Sequence, residues 1–140
     1  MQKIIYYLTI IYNIAFLIGC QKDELQQAED VAVRFMQSLY QDPSKTKDFI
    51  YLGELSNEKQ TELDNKLPMI ISELSQAMIL NSAAEGGFKE IKVISSKFTN
   101  DEQTRATVLI QVIYQNNSED TNDTIQLQKV LNGKWKVVLD

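Results

Sequence analysis

Histidine is absent from all 140 residues, and cysteine occurs once, at Cys20. The first absence removes the commonest general base, the commonest metal ligand and any serine–histidine triad. The second removes any intrachain disulfide, a frequent support of small exported domains. Glycine is sparse, and Gly86-Gly87 stands alone, so there is no glycine-rich phosphate loop. The sequence has no Pro/Gly/Ser-rich linker, no low-complexity block and no internal repeat. Nor does it hold a run of lysines or arginines, and its formal net charge is -5. An acidic chain without a basic stripe argues against nucleic acid as a partner.

What is present begins with an address. Lys3 gives a short positive start, and residues 4–18 are mostly apolar. A charged start, a short apolar region and small residues at its end make a secretory signal. A membrane-spanning helix would need about 20 predominantly apolar residues. This run is shorter and is diluted by Tyr6, Tyr7, Thr9, Tyr12 and Asn13. A buried core helix is the other rival, but the polar stretch 21–30 gives it nothing to pack against. Leu17-Ile18-Gly19-Cys20 closes the run and resembles a bacterial lipoprotein box. The resemblance implies cleavage after Gly19, diacylation of the Cys20 thiol and acylation of the new amine. Stable anchoring takes more than one acyl chain, which a diacylated cysteine supplies. The expected division is a signal peptide over 1–19, a lipid anchor and tether over 20–24, and a single domain over 25–140.

The next residues, Gln21-Lys22-Asp23-Glu24, resemble the surface-export tag of lipoproteins in some Gram-negative bacteria. Gln21 stands as the spacer, Lys22 as the basic residue, and Asp23 and Glu24 as the acidic pair. Position 21 is also not the aspartate that retains lipoproteins in the inner membrane under the enteric sorting rule. The resemblance implies a lipid-anchored envelope protein, in the outer membrane and exposed at the surface. The plainer alternative is that Asp23 and Glu24 favour the first turn of a helix. A tether of four residues reaches at most roughly 14 Å, so the domain would sit close to the bilayer.

Within the domain the first half reads as helix. Leu25, Ala28, Val31, Ala32, Phe35, Met36 and Leu39 keep helical spacing. Asp42-Pro43 stops this helix and starts a short second one, with Asp42 as N-cap and Gly53 at its end. Phe49, Ile50 and Leu52 form its inner face. Ser56 or Asn57 caps a third helix, which Pro68 should kink or restart. Ile70, Ile71, Leu74, Ala77 and Met78 form its expected inner face, and Gly86-Gly87 ends the helical half.

The period then changes from about 3.6 to 2. Expected strands are Phe88–Phe98, Arg105–Tyr114, Thr124–Leu131 and Lys134–Leu139. Ala106, Val108, Ile110, Val112 and Tyr114 share one face of the second. Asn132-Gly133 predicts a type I′ hairpin, with positive φ at both central residues. It puts Trp135, Val137 and Leu139 on one face and Lys134 and Lys136 on the other. Helices followed by an antiparallel meander make an α+β fold, with N-terminal helices on one face of a curved four-stranded sheet.

Three helices before a curved sheet, Ala106-Thr107-Val108 in a central strand and a closing Gly133-Lys134-Trp135-Lys136-Val137 resemble a known group. These are small bacterial lipoproteins with a cystatin-like or nuclear-transport-factor-2-like domain of unknown function. The wider superfamily includes enzymes, ligand binders and assembly modules, so fold alone does not choose among them.

Chemistry is scarce. With Cys20 lipidated no thiol nucleophile remains. Glu29-Asp30 and Asp101-Glu102 are adjacent pairs, which do not face one another on a helix. The stretch 118–123 has oxygen ligands without the spacing or glycine of a calcium loop. No catalytic residue, metal or cofactor is expected, and the favoured role is non-catalytic binding of a ligand or a protein. The pocket candidates are Tyr40, Tyr51, Tyr114 and Trp135, although ordinary core packing also accounts for them. Leu109, Ile113 and Val138 on the outer sheet face form a candidate interface for a homodimer or an envelope partner. The alternatives are a small enzyme using a buried Asp or Glu in the helix–sheet cleft, or a homodimeric assembly module.

Overall fold

A helix over 23–41 (α1) opens the computed structural model, which describes residues 23–53, 56–120 and 122–139. The signal segment, Cys20 and Lys22 lie outside the described residues. Helical spacing brings Ala28, Ala32, Phe35, Met36 and Leu39 onto one buried face of α1. Ala28 and Ala32 are fully enclosed, and their small side chains allow the close approach. Asp23 and Glu24 already belong to this helix.

The Asp42-Pro43 stop behaves as expected, but the segment after it differs. Residues Pro43–Phe49 form a 3₁₀ helix and not an α-helix, and it ends before Gly53. Asp42 makes no side-chain cap. Its Oδ1 instead accepts the Ser44 hydroxyl at 2.5 Å. The turn ends early because the chain leaves to join the sheet. Ile50 is extended and bridges Val137 in parallel, and the Tyr51 N–H donates to the Val137 carbonyl at 2.7 Å.

The second α-helix, α2, spans Asn57–Ala83 and continues through Pro68 without restarting. Its inner face also differs from expectation. Leu67, Ile71, Ser75 and Ser82 are buried, whereas Ile70 and Leu74 are 45% and 43% exposed. Ala77 is exposed too, and Met78 is half-buried. The Ser75 hydroxyl explains the rotation, because it donates to the Leu39 carbonyl at 2.5 Å. Leu39 lies in the last turn of α1, where carbonyls lack a helical partner. Satisfying that buried acceptor turns Ser75 inward and Ile70 and Leu74 to the flank.

The sheet is a meander in the order β1-β2-β3-β4, antiparallel throughout. Its strands are Phe88–Phe98 (β1), Arg105–Tyr114 (β2), Asp123–Lys129 (β3) and Trp135–Val138 (β4). The first two match expectation, and the last two are shorter than expected. β2 alternates as predicted, with Ala106, Val108, Ile110, Val112 and Tyr114 all buried. Two register shifts in β1, at Phe88/Glu90 and Val93/Ser95, bend this edge strand. Trp135 and Val137 face the core, but Leu139 lies past β4 and is 46% exposed.

The last hairpin is not type I′. Gly133 has φ +81, whereas Asn132 is not among the positive-φ residues. The Gly133 N–H donates to the Val130 carbonyl at 2.9 Å, and the Val130 N–H to the Lys134 carbonyl at 2.8 Å. Leu131 therefore joins the loop, which has three residues and its left-handed position at glycine. Asn132 uses its side chain for the turn, with Oδ1 accepting the Lys134 N–H at 3.0 Å.

Candidate ligand cleft between helices and sheet

The inner faces of α1, α2 and the sheet do not close completely. They leave a cleft of about 370 Å³, at the small end of the usual ligand-pocket range. Phe35, Met36 and Leu39 of α1 form one wall, Leu74 and Met78 of α2 a second, and Val112, Ile125 and Leu139 a third. Polar groups gather where the loop after β2 returns to β3. Tyr40, Tyr114, Asp120 and Asp123 line the cleft there, with Asn81 and Thr124.

That loop is tied down at several points. The Glu85 carboxylate accepts hydrogen bonds from the Asn116 amide and the Ser118 hydroxyl, and is held below its ordinary pKa by them. The Gln115 N–H donates to the Gly87 carbonyl at 2.9 Å. Gly86 sits at φ +86, with space for a Cβ only 3.3 Å from that of Gln115, so the turn after α2 needs glycine there. The Asp120 N–H donates back to the Val112 carbonyl at 3.0 Å. Asp120 is thus fixed beside Tyr114, whose hydroxyl donates to its Oδ2 at 2.7 Å.

The electrostatics follow from this packing. Burial, and then the hydrogen bond to Asp120, push the Tyr114 phenol well above its ordinary pKa. Burial also raises Tyr40, whose ring stacks on Phe88 with centroids 4.5 Å apart. Partial desolvation raises the Asp123 carboxyl, and the neighbouring charge of Asp120 adds to the shift. Among the described residues, no three acidic side chains converge to hold a metal ion.

The sequence candidates divide among separate places. Tyr40 and Tyr114 meet in the cleft. Trp135 does not line it; it is buried and lies against a different hollow, beside Arg34 and Asp30 of α1. Tyr51 lines shallow hollows near Gly53 and Val130. Leu109, Ile113 and Val138 lie on the outer sheet face, each half-buried. Register sets them apart: Leu109 lies between Ser95 and Thr124, Ile113 pairs with Glu90, and Val138 pairs with Gln126.

Comparison with known proteins places the chain. The family model for the domain of unknown function DUF4878 matches residues 19–138. The chain belongs to this family. A crystal structure from Campylobacter jejuni, named as a candidate NTF2-like transpeptidase, is similar over 80% of this chain and 97% of that one. Its TM-score is 0.60 at 24% identity, a likeness of fold. Helices followed by a four-stranded antiparallel sheet are therefore an NTF2-like α+β arrangement. No curated protein matches the chain.

Three acidic residues of this DUF4878 domain have roles that sequence reasoning missed. In the sequence Asp120 and Asp123 belong only to a polar loop. No spacing rule links them to Tyr114 or Tyr40, because the loop's return creates the contact. Glu24 resembles part of an export tag. In the fold its Oε2 accepts the Trp135 Nε1–H at 3.2 Å and pairs with Lys129 Nζ at 2.9 Å. Its position at the start of a helix gives no sign of this clamp. No described helix is long and apolar enough to cross a membrane.

Proposed function

We propose that this domain binds a small amphipathic molecule in the cleft between α1, α2 and the sheet, and performs no chemistry on it. The observation that carries the reading is the cleft's division into apolar walls and one polar end. Such pockets bury a ligand body by the hydrophobic effect and orient it with a few polar groups. The lack of histidine in the chain supports a non-catalytic role. The neutral apolar fluorophore N-phenyl-1-naphthylamine tests the reading. It should bind at one site per chain and lose that site in Leu74→Trp, which fills the mouth from a half-exposed position. No binding to the native protein, or equal binding to the variant, would defeat the cleft reading.

The same proposal sets the domain at the cell envelope on a lipid carried by Cys20. It rests on the Leu-Ile-Gly-Cys pattern and the apolar run before it. Cys20→Ser should abolish labelling by a palmitate analogue. Surface exposure is a further step, resting on Lys22, Asp23 and Glu24. Protease treatment of intact cells should digest the native protein and spare a triple alanine variant, provided that Glu24→Ala alone still folds.

One observation favours an enzyme instead. Asp123 is a cleft carboxyl with a raised pKa, a setting suited to proton transfer. Acyl transfer of the transpeptidase kind also needs an activated nucleophile. The described cleft lining offers the Thr124 hydroxyl but neither cysteine nor histidine. Turnover that disappears in Asp123→Asn would establish this second reading.

A further inference from the structure

The β3–β4 hairpin ends in an apolar tip. Leu131, the first residue of its loop, is 103% exposed. A lone exposed leucine is ordinary on a protein surface, but the setting of this one is not. The segment Lys129-Val130-Leu131-Asn132-Gly133-Lys134-Trp135-Lys136 holds three lysines and no acid, in a chain of net charge -5. Lys134 is exposed, and Lys129 and Lys136 are half-buried. Tyr51 joins Lys129, Val130 and Leu131 around one shallow hollow beside the tip. Leucine, tyrosine and lysine together suit a membrane–water boundary. The apolar part enters, and the hydroxyl or ammonium stays among the headgroups.

The fold sets this hairpin beside the start of α1. Glu24, in the first turn, holds the hairpin base through Trp135 Nε1 and Lys129 Nζ. Leu131 is two residues beyond Lys129, so its Cα lies within about 7 Å of that residue's. Three residue steps separate Cys20 from Asp23, where α1 begins, and an extended chain covers at most about 11 Å in them. The exposed apolar side of α2 is elsewhere. Ser75 bonds the Leu39 carbonyl, fifteen residues beyond Glu24 and about 22 Å along α1. An anchor at Cys20 is therefore short enough to bring a bilayer to the hairpin, while the α2 face stands near the other end of α1. The turn 99–104 between β1 and β2 shares the hairpin's end, since the Lys129 N–H donates to the Thr104 carbonyl at 2.7 Å. It carries Asp101 and Glu102, both exposed. These acids offset the lysines, so a contact here depends on Leu131 and the anchor and not on bulk charge.

We infer that the hairpin tip docks on a phospholipid bilayer, with Leu131 entering the headgroup region, Tyr51 beside it and the Lys134 ammonium at the lipid phosphates. The docking rests on the acyl anchor of Cys20 proposed above. A short tether by itself fixes only the distance of the domain from the lipid. The tip adds a second contact and so fixes which side faces it. Tyr40 and Tyr114, at the far end of α1, then point the polar end of the cleft away from the bilayer.

Site-directed fluorescence tests this. Cys20 is the only cysteine, so its acylation leaves Leu131→Cys or Leu80→Cys with a single thiol to label. Both positions are exposed, so neither change threatens the fold. Each full-length lipidated variant is labelled with a nitrobenzoxadiazole fluorophore and reconstituted in vesicles of phosphatidylethanolamine and phosphatidylglycerol. The label at 131 should lose most of its quenching by iodide and gain quenching by lipid-borne nitroxide. The label at 80, on α2, should keep its quenching by iodide. Using one fluorophore at both sites removes its own affinity for lipid from the comparison. If Cys20 is acylated but the label at 131 is no better shielded than the label at 80, the anchor stands and the docking falls. If Cys20 takes no palmitate analogue, anchor and docking fall together.

Discussion

Trp135 and Glu24 stand 111 positions apart in the chain and share a hydrogen bond, the indole Nε1–H donating to the glutamate Oε2 over 3.2 Å. The same oxygen pairs with Lys129 Nζ at 2.9 Å, with roughly a third or less of either side chain exposed. One carboxylate therefore joins the start of α1 to β3 and β4. Trp135 also packs near Phe98 across the sheet, with ring centroids 6.3 Å apart. Glu24→Ala should cost about 1–3 kcal/mol, because it leaves a part-buried indole N–H without its acceptor. Glu24→Gln retains an acceptor and loses only the ion pair, so it should cost less than about 1 kcal/mol. Urea unfolding followed by Trp135 fluorescence measures both. Equal losses in the two variants would show that charge, and not the hydrogen bond, holds the helix.

Buried hydroxyls join α1 to the 3₁₀ helix. The Ser38 Oγ donates to the Phe35 carbonyl at 2.7 Å and lies 2.7 Å from Thr46 Oγ1. Thr46 is fully buried. Thr46→Val conserves shape but removes one member of the pair, and should cost about 1–3 kcal/mol. Thermal unfolding should show the loss, and Thr46→Ser should recover most of it.

Tyr114 and Asp120 test the rigidity of the cleft mouth. Tyr114→Phe removes the hydroxyl that donates to Asp120 over 2.7 Å. A bond to a partly exposed carboxylate contributes about 1 kcal/mol, so the stability loss should be modest. The more telling change is local. Amide exchange at Asp120 and its neighbours should quicken while the β2 amides stay protected. Unchanged exchange in the loop would mean that Glu85 and Gln115 alone hold it.

Asp123 gives a pH dependence with a definite sign. Its folded-state pKa is raised, by desolvation first and then by Asp120. The folded protein therefore binds this proton more tightly than the unfolded chain does. Stability falls as pH rises from the ordinary aspartate value through the raised one. Below that window the carboxyl is protonated in both states and the penalty is absent. Asp123→Asn should raise the melting temperature at pH 7 and leave it unchanged near pH 3. Because the side chain sits at an exposed rim, the gain should be below about 1 kcal/mol. A variant less stable than native at pH 7 would reverse the sign and refute the assignment.

The exposed back of α2 gives a contrasting prediction. Leu80 is 74% exposed and Met69 60% exposed. Leu80→Lys should change unfolding free energy by no more than about 0.5 kcal/mol, as surface substitutions generally do. A loss beyond about 1 kcal/mol in a monomeric sample would show that Leu80 packs against something in the folded chain.

The order of elements, the strand limits of β1 and β2, and the buried set Ala106 to Tyr114 were legible in the sequence by itself. Those features are local: a period of 2 or 3.6 records which side of a segment is covered, whatever covers it. The stop at Asp42-Pro43 was legible for the same reason, since proline acts on its own backbone. The rotation of α2 was not. Its apolar residues nearly encircle the helix, so the contrast between Ile70, Ile71 and Leu74 is weak, and the face that turns inward is the one where Leu67 and Ile71 pack into the core and the Ser75 hydroxyl reaches the Leu39 carbonyl. The 3₁₀ helix ends at Phe49 because β4 lies close enough to accept Ile50 and Tyr51 as extended chain. The polar mouth of the cleft exists because Glu85 and Gly87 draw the loop after β2 over Tyr40 and Tyr114. Sequence determined what each segment wants to bury; only the tertiary structure decided which distant groups meet, because those meetings depend on the position of a partner that no local pattern encodes.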